Sequence, residues 1–450
     1  PLLLEVRMGD RAKGHPSEYW TGGHMKLRLR ARHQVHFAAI LVVVALVAAA
    51  CAGTSPDDNG GSGDGGGELS WAIGGSEAAP GGVHREVAEM WSEENPDNPI
   101  TIERLPDDAG EQRQQQSLEL NAQESGFDVL GMDVIWTGEY AVNGWLESLE
   151  DVRGEIEDVT IPGAFESATW EGELWAAPYN SNAGFLYYRT DLVDEPPTTW
   201  DEVMQVGMEV GEQEDIAPFV GQGAQYEGLV VNFLEYYWGA GGELFNEDAS
   251  EVLWDDEIAL EAVEFMRDAN ESGFFASGFN TFLEEESRNE FQSGNAVFMR
   301  NWPYVYGLAS VKAESEVAGK FDIAPLPTFT GEGTISALGG FNNAVSAFSD
   351  NKEAAKEFVV WASTNEEVQT LLGKSSLPPT MASVYENLQD DPVMALLGDV
   401  LPDAKPRPPA PTWNDISVTI QQEIFPAYNG EKDPQEAVEA VGTFLEESIQ

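Results

Sequence analysis

Strand-like and helix-like segments alternate along this chain from Glu68 almost to its end, and that alternation narrows the possible folds more than any other feature. Glu68–Gly74 (ELSWAIG) is a short apolar run closed by glycine and reads as a strand. Val83–Asn95 places Val83, Val87, Met90 and Trp91 at helical spacing, and Pro96 and Pro99 end it. Ile100, Thr101 and Ile102 open a second strand. Gln112–Gln123, with Leu118 and Leu120, reads as a second helix, and Phe127–Val134 as a third strand. The pattern recurs from about Ala176 and again from Phe321. Strands separated by helices imply an α/β fold with helices on the sheet faces. No fixed-period repeat is present, which argues against a solenoid or propeller. At 450 residues the chain exceeds one ordinary core, so at least two domains are expected.

The chain ahead of Glu68 has a different character. Met25 begins the basic segment MKLRLRAR, and an apolar run follows from Phe37 through Ala50 to Cys51. A basic start, a short apolar middle and small residues before the break describe a secretory signal, too short for a membrane span. Residues 1–24 lack periodicity and precede a better start at Met25, so they read as upstream translated sequence. Cys51 stands directly after three alanines and resembles the acceptor of a bacterial lipoprotein signal, with Ala48 where leucine is usual. Lipidation there would anchor the protein to the membrane. The following TSPDDNGGSGDGGG, Thr54 to Gly67, has no apolar residue and reads as a flexible tether.

Charge and composition exclude several functions. The chain has 23 Lys+Arg against 79 Asp+Glu, a net charge of −56. Such a surface repels phosphates, which argues against nucleic-acid binding. It also fits a salty or otherwise harsh medium outside the cell, where screening weakens self-repulsion. One cysteine cannot form an internal disulfide, and none of the 5 histidines falls in an HxxxH or HExxH pattern, so no metal site and no cofactor is expected.

Six blocks, in order, carry a family resemblance. They are FDVLGMDVIWTGEYAVNGWLESL at Phe127–Leu149, APYNSNAGFLYYRTDL at Ala177–Leu192 with the following PPTTW, and QYEGLVVNFLEYYWGAGG at Gln225–Gly242. FQSGNAVFMRNWPYVY at Phe291–Tyr306, LGGFNNAVS at Leu338–Ser346 and a proline-rich stretch around Arg407 at Lys405–Pro411 complete the set. The chain from Glu68 onward resembles the family 1 extracellular solute-binding proteins of ABC sugar importers, of the maltose and trehalose type. The resemblance implies a two-lobed, periplasmic-binding-protein-like α/β fold of type II, with the ligand in a cleft that closes about a hinge. It places one lobe at 68–179 and 323–376, and the other at 180–322 and 377–450. It further implies a di- or oligosaccharide ligand, an ABC permease as membrane partner, and a monomer on the outer face of the cell membrane.

A sugar offers polar edges and an apolar ring face, so its site needs aromatic plates and planar polar side chains. Trp302 follows the apolar run Ala296–Met299 and precedes Pro303, which ends any ladder, so it leaves the sheet at a loop. The resemblance makes Trp302 a sugar platform, with Phe341 after Gly340 where the family often carries tryptophan, and Tyr226 as a further aromatic. The alternatives are a core tryptophan at 302 and an edge-of-core tyrosine at 226. Asp133 closes a strand, where α/β clefts lie, and could bind sugar or cap the next helix. The resemblance also assigns sugar contacts to Asn182, Arg113, Arg407 and either Glu284 or Glu285; Asn180 falls where some relatives have tyrosine. A family glutamate expected after the first strand has no counterpart, Gly81 or Gly82 standing there with Glu77 nearby. Two other readings compete. Paired carboxylates with stacking aromatics also suit a glycoside-processing enzyme, though no motif marks a nucleophile or acid. A structural surface lipoprotein would bind no sugar.

Overall fold

A computed structural model describes residues 67–246, 251–408 and 410–448. The signal-like segment, Cys51 and most of the tether lie outside the described residues. Two sheets organise the described chain. The strands in chain order are β1 (Leu69–Ile73), β2 (Ile100–Arg104), β3 (Val129–Asp133), the small hairpin β4 (Thr169–Trp170) and β5 (Glu173–Leu174), and β6 (Ala177–Ala183). Then come β7 (Phe185–Arg189), β8 (Ala217–Val220), β9 (Ala296–Asn301), β10 (Phe321–Ala324), β11 (Ala337–Val345) and β12 (Lys405–Pro406).

In the first sheet the order is β12-β11-β3-β1-β2, with β6 on the other side of β11. Strand β1 runs parallel to both β2 and β3, Leu69 opposite Ile100 and Trp71 opposite Val129. Helices Val83–Glu94 and Ala109–Ala122 make the two crossovers. The first carries the chain to one side of β1 and the second to the other. Such a reversal opens a crevice beyond the carboxyl ends of the central strands. Residues 74–76 and Asp133 stand at that crevice. In β3 every residue is buried until Asp133, and in β11 every residue is buried except Phe341.

The expected elements match closely, with one shifted start. The second helix begins at Ala109 rather than Gln112, because the Asp108 side chain caps it by accepting the backbone N–H of Glu111 at 2.8 Å. The αL residue Gln123 ends it.

The second sheet runs β10-β7-β9-β8. Helix Glu227–Gly239 is buried along its whole length, as its apolar character all round requires. The chain passes from the first sheet to the second at Gly184 and returns across 325–336. These points fall a few residues beyond the expected switches at 179/180 and 322/323. Glycine at 184 makes room for the Arg300 guanidinium: a Cβ there would lie 2.5 Å from Nη2, so the fork would have to shift. Gly340 is needed for closeness too. Its φ is +136°, and a Cβ would meet the Asn180 carbonyl oxygen at 2.3 Å. This contact lets β11 and β6 pair, with a bulge at Phe341 and Asn342. No described helix is long and apolar enough to cross a membrane.

Candidate ligand-binding site

A cavity of about 180 Å³ lies beyond the carboxyl ends of β1 and β3, walled by both layers of the molecule. One wall carries Asp133, Asn180, Asn182, Gly340 and Phe341, with Arg407 next to β12 of the same sheet; the other carries Tyr226, Glu284, Glu285 and Trp302. These positions come from separate sequence blocks. Arg113 is the exception. It does not line the cavity, because its guanidinium grips Glu139 through Nε at 2.7 Å and through Nη2. Within an acidic chain, a carboxylate one helix away captured the arginine before the cleft could use it.

Trp302 leaves β9 as the Asn-Trp-Pro order dictates. Its backbone N–H donates to Asn301 Oδ1 at 2.8 Å, and its carbonyl accepts the Tyr187 hydroxyl at 2.7 Å. The Arg300 guanidinium lies over its ring, 4.1 Å from the centroid. Glu284 begins the helix before β9 and stands half-buried beside Tyr226 and Trp302; desolvation pushes its carboxyl above the usual range. Glu285 is differently occupied. It accepts from Arg288 at 2.5 Å and from the Tyr304 hydroxyl at 2.6 Å.

Asp133 takes the capping role and also pairs with Arg407. Its Oδ1 accepts the backbone N–H of Ile135 at 3.2 Å, capping a short turn, and accepts from Arg407 Nη2 at 3.1 Å. Arg407 Nη1 donates to Glu227 Oε1 at 2.7 Å. Burial alone would depress the Arg407 guanidinium, but the two carboxylates hold it above its ordinary value. Burial raises Glu227, while Arg407 and Ser417 oppose that. Thus Arg407 bridges an acid at the end of the first sheet and one at the start of the buried helix.

Several polar atoms on the cavity wall lack hydrogen-bond partners among the described residues. They are both amide atoms of Asn180, Asn182 Oδ1, Gln112 Oε1, Tyr226 Oη and Arg407 Nε. Each is buried, and an unmet buried donor or acceptor costs on the order of 1–3 kcal/mol. Such a set, beside the exposed edge of Phe341 and the ring of Trp302, suits a ligand that carries hydroxyls around an apolar face. No group of three or more described His, Cys, Asp or Glu side chains could hold a metal ion.

Sequence reasoning missed His84, Gln112 and Glu227. His84 packs against Trp71 at 5.4 Å and its Nδ1 lies 3.1 Å from the Tyr179 hydroxyl. Burial lowers its pKa to about 3, so it is neutral. The glycines after β1 were the available signal for this corner; His84 itself sits in an unremarkable amphipathic helix.

Comparison with known proteins agrees with this geometry. The family model for bacterial extracellular solute-binding proteins matches residues 74–369. The chain is 29% identical to a probable ABC transporter-binding protein of Deinococcus radiodurans over 377 residues, 79% of this chain and 88% of the relative. Among solved structures, maltose-bound MalE3 of T. maritima superposes with a TM-score of 0.79 at 33% identity, covering 84% of this chain and 99% of that one. The GacH receptor of Streptomyces glaucescens, solved unliganded and with acarbose, gives 0.74 at 25% identity, covering 85% and 98%.

Proposed function

Because the chain belongs to the bacterial extracellular solute-binding protein family, we propose that it captures a di- or oligosaccharide of the maltose or trehalose kind outside the cell and delivers it to an ABC permease. The observation that carries this reading is the cavity wall, where buried polar atoms without partners flank two aromatic side chains. Trp302 and Phe341 take ring faces; Asn180, Asn182 and Tyr226 take hydroxyls. A sugar lying between Asp133 on one wall and Trp302 on the other touches both. At about 180 Å³ the cavity is smaller than the roughly 300–1,000 Å³ usual for small-molecule sites, so the walls must move apart to admit a disaccharide. A ligand that touches both walls binds the closed form better and so shifts the population towards it.

A thermal-shift screen with maltose, trehalose, maltotriose and the open-chain polyol mannitol tests the proposal. At a hundredfold excess over its Kd a true ligand adds about 2.7 kcal/mol of stability. Ring sugars should raise the Tm and emerge chemically intact. No shift with any sugar would remove the transport reading, and hydrolysed sugar would favour the glycoside-processing alternative. Trp302→Ala should cost at least about 2 kcal/mol of sugar affinity, near thirtyfold, with the fold retained.

Cys51 completes the reading as a lipid-bearing anchor behind a Gly-rich tether. Cys51→Ser should move the protein from the membrane pellet to the soluble fraction; continued sedimentation with membranes would require another anchor.

A further inference from the structure

Arg300 lies at the seam between the sheets and does not line the cavity. It is buried in β9, opposite Leu186 of β7. Its Nε and Nη2 donate to the two oxygens of Glu235 at 2.8 and 2.6 Å, and Nη1 donates to Gln222 Oε1 at 3.2 Å. Glu235 also accepts the backbone N–H of Ala337 at 3.1 Å, where β11 begins. Gly184, between β6 and β7, donates its N–H to Ser336 Oγ at 2.5 Å and leaves no room for a Cβ beside the guanidinium. One ion pair therefore touches both places where the chain passes between the sheets.

The same guanidinium covers one face of Trp302. A cation over an indole ring is attracted to it, more strongly where water is excluded. A planar fork held by both oxygens of a carboxylate has little freedom to turn. The ring lying on that fork takes its orientation from it.

We propose that Arg300 is a positioning residue: it fixes one face of Trp302 so that the other meets the sugar, and it ties that platform to both chain crossings. The inference rests on the platform reading of Trp302 given above. Its test has one arm that needs no sugar. With 5-fluorotryptophan incorporated, the fluorine line of Trp302 is identified by its loss in Trp302→Phe. In ligand-free protein, Arg300→Lys should shift and broaden that line while the lines of Trp91 and Trp361, packed around Phe358, stay in place. Gly184→Ala, which displaces the fork without changing charge, should move the same line and serves if the lysine variant does not fold. An unmoved Trp302 line in a folded variant would overturn the proposal.

The second arm reads affinity for the tightest sugar of the panel. Arg300→Lys should weaken it about tenfold, the size of a desolvated cation–ring contact. In a Trp302→Ala background the same change should weaken it less than about twofold, because the platform it serves is gone. An undiminished tenfold loss in that background would mean that Arg300 acts through the fold at large, and would overturn the assignment. If no sugar binds the wild type, the proposed function fails while the fluorine arm still decides the role of Arg300.

Discussion

Among the buried arginines that face carboxylates, Arg300 and Arg407 are not equivalent. Arg300 and Glu235 are 2% and 3% exposed, and all three guanidinium nitrogens donate to protein acceptors. Arg407 is equally buried, but Asp133 opposite it is 14% exposed and Arg407 Nε has no partner among the described residues. The first cluster is complete and leaves nothing to offer a ligand. The second keeps an unmet donor and an open carboxylate edge on the cavity wall. Completeness of hydrogen bonding, more than burial or charge, separates a group that holds the fold from one that can hold a ligand.

The comparison can be broken by experiment, most forcefully at Glu235. Glu235→Gln removes the charge opposite buried Arg300, and should cost about 3–5 kcal/mol of stability in denaturant unfolding. Asp133→Asn should show the reverse pattern. Glu227 still pairs Arg407, so stability should change by under about 1 kcal/mol, while sugar affinity falls by about 1.5–3 kcal/mol, roughly ten- to hundredfold. A stability loss at Asp133 as large as that at Glu235 would erase the distinction.

His84 sharpens the picture from the structural side, since its Nδ1 already has the Tyr179 hydroxyl. Its pKa falls from 6.5 to about 3 on folding, so the unfolded chain takes the proton first. Stability should then drop as pH falls below 6.5, by about 2 kcal/mol at pH 5 from this group. Glu227 and Glu284 act with the opposite sign, because their carboxyls are raised and the folded state binds their protons more readily. The difference between wild type and His84→Gln isolates the histidine: the variant should lose less stability between pH 6.5 and 5. An identical pH profile would place His84 in water.

The smallest expected effect is at Tyr226, whose buried hydroxyl has no partner among the described residues. Tyr226→Phe should leave ligand-free stability unchanged or slightly higher, and weaken sugar binding by about 1 kcal/mol, near fivefold, by calorimetry. A clear loss of ligand-free stability would show that the hydroxyl is already engaged by the protein.

Much of this was legible in the sequence for local reasons. The strands at β1 and β3 and the helix after Gly82 follow from apolar spacing and proline stops, which act within a few residues. The exit of Trp302 from its strand follows from Pro303, whose ring cannot join a ladder. Family blocks brought Asp133, Tyr226, Trp302, Phe341 and Arg407 to notice. The second helix starts three residues before its apolar spacing indicates, because a capping aspartate outweighs the weak apolar signal of its first turn.

What remained hidden depends on contacts between residues far apart in the chain. Arg113 and Arg407 look alike in sequence, each an arginine in a strongly acidic chain. One is taken by Glu139, away from the cavity, and the other pairs on the cavity wall with Asp133, 274 positions away. Asn180 and Asn182 differ from any surface amide only because β11 packs against β6 and removes water without supplying every partner. Local propensity thus determined which segments are strands and helices and where they stop. Which polar side chains are satisfied, and which are left to meet a ligand, was decided by tertiary packing, because desolvation and long-range pairing do not exist until the sheets come together.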